Sequence, residues 1–163
     1  MRRELPEQLL RELLKNSKRS DRELAKVLEV SQPTITRVRH RLEENGMIKD
    51  YTITPNFRKM GFELMTITLV KLRSDAFSPE AMMKAKKYAT THPETILSCL
   101  GEGLGMNGIA ISFHKDYTEY HRHLTQMRTV WKDFLEDIQS FIIPIGEGDF
   151  KRFSLTHLTD VPP

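Results

Sequence analysis

The sequence is poor in the features that define secreted, membrane and disulfide-stapled proteins. It has one cysteine among 163 residues, which excludes an internal disulfide and fits a cytoplasmic compartment. No apolar run is long enough to cross a bilayer, and the stretch MRRELPEQLLRELL lacks the uncharged core of a signal peptide. We therefore expect no membrane partner. The apolar neighbours of Cys99 predict a buried thiol on a strand rather than a nucleophile.

The charge is small but unevenly distributed. The first 50 residues contain 12 lysines and arginines against 9 acidic residues, and the remainder contains 13 of each. The whole net charge of +3 therefore lies in the first third of the chain. A polyanion-binding module at that end would give this distribution, although a solvated helical surface is the better explanation of the charge taken alone.

Three short helical patterns occupy residues 1–50. The first is an apolar stripe of Leu5, Leu9, Leu10, Leu13 and Leu14. Ser20 and Glu23 then form a capping box, and Ser31 caps a third helix that tolerates Pro33 in its first turn. Asn45-Gly46 is a typical helix stop. Short helices joined by tight turns predict a helix-turn-helix domain.

The rest of the chain predicts a second domain. Residues 47–54 look like a wing or hinge strand, and we assign residues 51–61 to the hinge strand and linker. Beyond them, strand-like runs and two helical patterns follow the order β-α-β-β-α-β, and residues 150–158 could add a further strand. The predicted fold class is α+β: an N-terminal winged helix-turn-helix and a C-terminal ferredoxin-like domain over residues 62–163.

The first strand of that domain is apolar on both faces. Leu64, Val70 and Leu72 point one way, whereas Met65, Ile67 and Leu69 point the other way. An antiparallel sheet with helices on only one face should alternate apolar and polar residues. A second copy of the same sheet would cover the extra apolar face, which predicts a homodimer.

The segment GLGMNG, residues 103–108, matches the dinucleotide-binding pattern G-x-G-x-x-G. That pattern requires a helix after the loop, because the helix N-terminus holds the phosphates. The following run, Ile109 to Phe113, is β-branched and aromatic and predicts a strand. We therefore expect no nucleotide cofactor.

The third helix, SQPTITRVRHRLEEN, has the properties of a DNA recognition helix. Ile35, Val38 and Leu42 form its core stripe, so the opposite side is free for the major groove. Gln32 suits adenine and Arg37 suits guanine, while other cations suit phosphates. The residues predicted to contact double-stranded DNA are Ser20, Arg22, Ser31, Gln32, Pro33, Thr34, Thr36, Arg37, Arg39, His40, Arg41 and Lys49. A three-helix scaffold with a solvated basic face is the alternative.

Metal and catalytic sites are not expected. His114, His121 and His123 lie close in sequence, but His121 and His123 point to different helix faces and no cysteine pair accompanies them. Surface or structural histidines are the better interpretation. No Ser-His-Asp arrangement or carboxylate pair stands out.

Residues 23–72, ELAKVLEVSQPTITRVRHRLEENGMIKDYTITPNFRKMGFELMTITLVKL, resemble the leucine-responsive/asparagine-responsive (Lrp/AsnC) transcription regulators. The ELA helix, the Ser-capped recognition helix, Asn45-Gly46 and the IKDYT hinge follow that family's order. The resemblance extends to the predicted second domain. One departure is Glu29, which stands where the family often has glycine in a left-handed turn, at a cost of about 1 kcal/mol.

The resemblance also implies a small-molecule effector, such as an amino acid, bound by loops of the second domain. The residues it implies are Gly101, Glu102, Gly103, Gly105, Met106, Asn107 and Gly108. The glycines would let backbone amides approach a carboxylate. Family members often have an acidic residue where this chain has Asn107, which leaves Glu102 as the candidate partner for an ammonium group. A hairpin that only packs against a neighbouring subunit is the open alternative.

The function expected from the sequence is a sequence-specific DNA-binding regulator without enzymatic activity. It would be cytoplasmic and nucleoid-associated, and would form a homodimer, with a tetramer or octamer left open. One alternative is an enzyme of the sirohaem decarboxylase type, although this chain has Ser98-Cys99-Leu100 where those enzymes have His-Asn-Tyr. A DNA-coating architectural protein with little sequence preference is another.

Overall fold

The computed structural model of the chain describes residues 4–146, 151 and 153–161, which form two compact units. The first unit contains the residues up to Thr54 together with the described part of the C-terminal segment. The second unit begins at Pro55 and contains the sheet. No helix in the described ranges combines the length and the apolar character needed to span a membrane.

The first unit is built on three helices: α1 (Leu5–Lys15), α2 (Asp21–Val27) and α3 (Gln32–Glu44). Each helix contributes its apolar stripe to one core. The buried members of this core are Leu9, Leu13, Leu24, Ala25, Ile35 and Leu42. Because the three predicted stripes meet in one cluster, the opposite side of α3 remains exposed.

The C-terminal segment forms a short 3-10 helix, Leu155–Asp160, which lies against α1. The Arg11 guanidinium anchors it by donating to the carbonyl oxygens of Thr159 and Val161, the latter at 2.9 Å. The sequence predicted a strand over residues 150–158. That prediction is wrong for the described residues 153–158, and Phe150 and Arg152 lie outside them. No ladder partner reaches this segment within the described part of the chain, so its backbone folds locally.

Residues 47–54 were predicted to form a wing or hinge strand. They are extended but form no strand with any other described residue. Ile53 is 72% exposed, so nothing covers the apolar side chains that made this stretch look like a strand. The second unit then opens with a turn over residues 57–61.

The second unit contains one antiparallel sheet and two main helices. Its elements are β1 (Leu64–Leu72), α4 (Pro79–Thr91), β2 (Thr95–Gly103), β3 (Met106–His114), α5 (Tyr117–Val130) and β4 (Leu135–Pro144). A 3-10 turn, Ser74–Phe77, precedes α4. The strand order is β2-β3-β1-β4, so the predicted β-α-β-β-α-β arrangement is confirmed.

The two faces of the sheet differ in chemistry. On the face covered by the helices, Thr66 and Thr68 are buried, and Thr66 Oγ1 lies 2.9 Å from Ser112 Oγ across the β1–β3 pair. The other face is apolar, with Ile67 aligned between Ile111 and Phe141. Phe141 is 70% exposed because no element of the described chain covers it.

Cys99 was expected to be a buried thiol, but it is exposed. It lies on β2, which is an edge strand paired only with β3. Residues 96–103 of this strand are exposed, because no further strand of the described chain pairs with this edge. The apolar neighbours that suggested burial therefore belong to an uncovered strand.

Candidate nucleic-acid interface

Helix α2 begins at the predicted capping box. The Ser20 hydroxyl accepts a hydrogen bond from the Glu23 amide at 3.3 Å, and the Glu23 carboxylate accepts one from the Ser20 amide at 2.7 Å. The Ser20 hydroxyl also donates to this carboxylate, and these bonds lower the pKa of Glu23. Ser20, which was predicted to contact DNA, is thus exposed, but its hydroxyl already makes the hydrogen bonds of the helix cap. Its structural role is to fix the start of α2.

The turn between α2 and α3 passes through a left-handed residue. Glu29 has a φ of 56°, in the region that favours glycine. The turn is closed by the Val30 amide, which donates to the Ala25 carbonyl at 3.0 Å. The left-handed conformation expected at this position is therefore present, and it sets the direction in which α3 leaves the turn.

Helix α3 starts at Ser31, whose hydroxyl accepts from the Thr34 amide at 3.3 Å. The same hydroxyl lies 2.7 Å from Thr34 Oγ1, so both predicted DNA contacts also serve the cap. Proline stands in the first turn, where its missing amide costs nothing. This N-terminal end is exposed, as a recognition helix requires.

The outer face of α3 is an open shallow groove. Its lining residues are Gln32, Pro33, Thr36, Arg37 and His40. All five are exposed, whereas Ile35 and Leu42 on the opposite face are buried. The structure therefore brings together the side chains that the helical phasing grouped on one face. His40 lies 3.2 Å from Glu44 Oε1 and 3.9 Å from Glu43 Oε2, which holds its ring along the helix.

Arg39 differs from the other predicted phosphate contacts. Its Nε donates to the Asp21 carboxylate at 2.8 Å, and its side chain is only 17% exposed. It also donates to Tyr51 Oη at 3.3 Å and to the Arg19 carbonyl at 3.4 Å. Arg39 thus links α3 to α2 and to the following segment. Sequence phasing placed it on the flank but did not identify its partners.

Four other cations are free of such partners. Arg22, Arg37, Arg41 and Lys49 are exposed, and no hydrogen bond or ion pair engages them within the described part of the chain. Arg37 belongs to the outer groove of α3, whereas Arg41 lies one turn further along the helix. These guanidinium and ammonium groups are available to an anionic ligand without losing an internal contact.

Two positioning residues were missed by the sequence analysis. Asp21 accepts hydrogen bonds from Arg39 and, at 2.6 Å, from the Thr36 hydroxyl. Tyr51 donates a hydrogen bond to the Glu43 carboxylate at 2.7 Å. The pKa of Tyr51 is raised, mainly by burial and secondly by this hydrogen bond. An acidic first-turn residue is visible in the sequence, but it indicates only a favourable interaction with the helix dipole. Its distant partners become apparent only in the folded unit.

The predicted effector residues lie along the hairpin between β2 and β3. Gly103 pairs with Met106, so Leu104 and Gly105 form a two-residue turn with φ values of 55° and 74°. β3 follows this turn directly, as the sequence predicted, so no helix N-terminus stands after the glycines. Gly101 and Glu102 are exposed at a register shift, whereas Met106 and Gly108 are buried. A Cβ atom at Gly108 would come within 2.7 Å of Val70 Cγ2.

Asn107 has a structural partner that the sequence did not suggest. Its Oδ1 accepts from the Leu72 amide at 2.7 Å, and its Nδ2 donates to the Leu72 carbonyl at 2.8 Å. The side chain thereby replaces a backbone pairing at the end of β1. An aspartate could not donate to that carbonyl. Asn107 therefore fixes the base of the hairpin and is not free to bind an ammonium group.

The histidines are divided between surface and core. His121 is exposed, whereas His114 and His123 are buried and their rings lie 5.3 Å apart. Among the described residues, no group of three histidine, cysteine or acidic side chains has the geometry to hold a metal ion. His114 instead lies against Ser112, with Nε2 3.0 Å from the hydroxyl oxygen.

Known proteins resemble both the N-terminal sequence and the whole fold. Residues 2–49 match the family described as "Winged helix-turn-helix DNA-binding". The HTH-type transcriptional regulator LrpA of Pyrococcus abyssi is 37% identical over 76 residues, covering 47% of this chain and 53% of that protein. LrpA of Pyrococcus horikoshii is 37% identical over 80 residues, covering 49% and 56%. The matched region thus spans about half the length of these curated relatives.

Solved structures extend the likeness to both units. An AsnC family transcriptional regulator from Agrobacterium tumefaciens has a TM-score of 0.76 at 18% identity, covering 96% of this chain and 99% of that chain. A transcriptional regulator from Neisseria meningitidis, solved as an L-Met complex, has a TM-score of 0.75 at 17% identity, covering 97% and 99%. Residues 2–49 thus match a winged helix-turn-helix family in sequence, and the described chain has the fold of these Lrp/AsnC-type structures. The resemblance to that family is confirmed.

Proposed function

We propose that this protein is a sequence-specific DNA-binding transcription regulator that inserts α3 into the major groove. The observation that carries the proposal is the outer face of α3. Gln32, Thr36 and Arg37 stand together on an exposed groove, while the opposite face of the same helix forms the domain core. Amide and guanidinium side chains are the groups that discriminate adenine and guanine at base edges.

The surrounding groups suit a role in positioning on the phosphate backbone. Arg22, Arg41 and Lys49 are exposed and internally unpaired within the described chain, so they can neutralise phosphates at little cost. Arg39 is held by Asp21 and instead fixes the angle between α2 and α3. The relatives that match this region are named as transcriptional regulators, which supports a regulator in preference to an enzyme. We expect the protein to act in the cytoplasm, on the nucleoid.

We also propose that the second unit makes the regulator a homodimer. The uncovered face of its sheet presents Ile67, Ile111 and Phe141 in one row. A second copy of the same face would remove these side chains from water, and a two-fold axis would supply two recognition helices. Tetramers and octamers remain natural extensions of such a dimer.

We propose further that the protein binds an amino acid as its effector. The neighbouring structure from Neisseria meningitidis was solved with L-Met, and the hairpin of this chain carries exposed Gly101, Glu102 and Gly103. Their amides and carboxylate could hold the two charged ends of an amino acid. Such a ligand would act by favouring one assembly state over another.

The decisive experiment is in vitro selection of bound duplexes from a random DNA pool, repeated with and without a mixture of amino acids. Enrichment of a motif with two similar half-sites would support a dimer that reads sequence. Binding without any enriched motif would instead support a DNA-coating architectural protein. A selected motif that does not change when amino acids are added would remove the effector from the proposal while leaving the regulator in place.

A further inference from the structure

Thr36 lies in the middle of the exposed face of α3. It is exposed and lines the outer groove of this helix together with Gln32 and Arg37. A threonine side chain carries a hydroxyl and a methyl group on the same carbon atom, and these two groups recognise different features of a base pair. The hydroxyl forms hydrogen bonds with polar base edges, whereas the methyl group makes apolar contacts. The contacts of Thr36 within the chain therefore decide which feature it can recognise.

The hydroxyl of Thr36 is already engaged. Its Oγ1 atom donates to Asp21 Oδ2 at 2.6 Å and lies 3.2 Å from the carbonyl oxygen of Gln32. A hydroxyl has one proton to donate, and a hydrogen bond to a carboxylate is roughly twice as strong as one to a neutral acceptor. Donation to a neutral base edge would exchange the stronger bond for a weaker one. The hydroxyl therefore contributes little to base recognition.

The other partner of Asp21 shows in which direction the Thr36 hydroxyl points. Asp21 also accepts from Arg39 Nε at 2.8 Å, so the hydroxyl faces the flank of α3 that carries Arg39. With 3.6 residues per turn, Arg39 lies about 60° around the helix from Thr36, and Arg37 lies about 100° in the opposite direction. The substituents of a Cβ atom are staggered, so the methyl group points away from the hydroxyl. The methyl group is thus left facing the groove, on the side of Arg37.

Thymine is the base that suits an exposed methyl group. In the major groove it presents a C5-methyl group beside its O4 acceptor, whereas the other three bases present only hydrogen-bonding groups there. The contact of two methyl groups removes apolar surface from water on both sides. A methyl group placed against another base would desolvate a polar atom without offering it a hydrogen bond. A methyl group held in one position therefore favours thymine.

We propose that Thr36 recognises a thymine through its methyl group and that Asp21 is the positioning residue that fixes this side chain. The proposal rests on the proposed function, because it requires α3 to lie in the major groove. Gln32 and Arg37 then read neighbouring bases by hydrogen bonds, and Thr36 adds an apolar contact. This contact is uncharged, so it adds base discrimination without adding to the salt dependence of binding.

The experiment replaces each thymine of a selected duplex by uracil in turn, because uracil lacks only the C5-methyl group. We expect the full chain to bind about fourfold more weakly when one particular thymine of each half-site is replaced, the equivalent of one buried methyl group. If every uracil duplex is bound as tightly as the parent duplex, the proposal is wrong, although the selected motif still supports a sequence-specific regulator. If the selection yields no motif, the proposed function fails and the thymine contact fails with it.

Thr36→Ser tests whether Thr36 is the residue that contacts this methyl group. Serine keeps the hydroxyl for Asp21 and lacks only the methyl group, so the ratio of the affinities for the thymine and uracil duplexes should fall from about four to about one. Thr52→Ser is the matched control. It makes the same change at an exposed position of the same unit, outside α3, and should keep the ratio of the parent. An unchanged ratio in Thr36→Ser would show that another residue contacts the thymine and would overturn the proposal.

Asp21→Ala and Asp21→Asn test the positioning role. Without the carboxylate, Thr36 can divide between the two rotamers open to threonine in a helix, so Asp21→Ala should lower the ratio to about two. Asparagine keeps an oxygen acceptor at the same place, so Asp21→Asn should restore the ratio towards that of the parent. The ratio compares two duplexes with one protein sample, so a smaller folded fraction does not change it. An unchanged ratio in Asp21→Ala would overturn the positioning role of Asp21.

Discussion

Arg39 and Asp21 form a partly buried ion pair that joins the recognition helix to the helix before it. The Arg39 Nε atom lies 2.8 Å from Asp21 Oδ1, and the two side chains are 17% and 21% exposed. The same carboxylate accepts from the Thr36 hydroxyl. A single acidic residue at the start of α2 therefore fixes the position of the middle of α3.

Removing this pair should loosen the helix-turn-helix. We expect Asp21→Ala and Arg39→Ala each to lower the free energy of unfolding by about 1 kcal/mol, with a coupling of similar size in the double variant. Urea denaturation of the parent, both single variants and the double variant measures that coupling. Strictly additive effects would show that the two charges do not interact in solution.

Arg37 and Arg41 should affect DNA binding in different ways. Arg37 lines the outer groove of α3, so Arg37→Ala should cost about 1–3 kcal/mol on a preferred site and relax the base preference. Arg41 is exposed outside that groove, so Arg41→Ala should weaken all duplexes alike and reduce the salt slope by about 1. Binding isotherms on a selected site and a scrambled site, at several salt concentrations, measure both effects. If the two variants behave identically, the phasing of α3 on DNA is wrong.

Glu29 offers a test of strain in the turn. Its φ of 56° is unfavourable for a residue with a Cβ atom, so Glu29→Gly should raise the free energy of unfolding by about 1 kcal/mol. The added flexibility of the unfolded chain opposes part of this gain. Lys26→Gly, at an exposed position inside α2, is the matched control and should be destabilising by about 1 kcal/mol. Denaturant midpoints that fall equally for both variants would rule out strain at this turn.

The sequence predicted the first unit well because its signals are local. Ser20 with Glu23 marks one helix start through contacts three residues apart, and Ser31 followed by Pro33 in the first turn marks the next. The core stripes follow from the helical period alone. The exposed face of α3 then follows from the buried one. The ion pair between Asp21 and Arg39 could not be predicted in this way, because the two residues are 18 positions apart and meet only after the helices pack.

Errors in the sequence analysis came from side chains whose partners cannot be read locally. The apolar residues around Cys99 look like a buried strand, but β2 lies at the edge of the sheet and Cys99 is exposed. The stretch from Met47 to Thr54 has strand composition but no strand partner among the described residues. The C-terminal segment ends on α1 through Arg11, a contact 148 residues away in sequence. In each case the environment depends on the tertiary arrangement.

Asn107→Asp should be destabilising, although it restores the acidic residue common in the resembled family. The Asn107 amide donates to the Leu72 carbonyl, and a carboxylate would place negative charge against that oxygen. We expect a loss of about 1–3 kcal/mol in the free energy of unfolding.

Asn56→Asp is the matched control for this substitution. The Asn56 side chain only accepts a hydrogen bond, from the Lys59 amide at 3.0 Å, and a carboxylate accepts equally well. Its free energy of unfolding should therefore remain close to that of the parent. If Asn107→Asp left the free energy of unfolding unchanged, the hydrogen bonds between the Asn107 side chain and Leu72 would contribute little to the stability of the sheet.

The buried histidines give the second unit a definite pH dependence. Burial lowers the pKa of His114, and the nearby His123 lowers it further, against weaker opposing effects of Glu119 and Glu94. Burial likewise lowers the pKa of His123, while Glu94 opposes the shift. Both imidazoles are thus neutral in the folded protein at pH values where an unfolded chain, with a histidine pKa of about 6.5, begins to bind protons.

Stability should therefore be fully present above pH 6.5 and should fall as the pH is lowered from there towards the depressed pKa values of the folded state. Urea denaturation between about pH 7.5 and pH 5 measures this slope. His121→Gln changes an exposed histidine and should leave the slope of the free energy of unfolding against pH unchanged. His114→Gln removes a buried histidine and should make this slope shallower, even if the variant is less stable overall. If stability instead rose on acidification, the folded protein would bind protons more tightly than the unfolded chain. The neutral His114–His123 contact would then be the wrong description of this core.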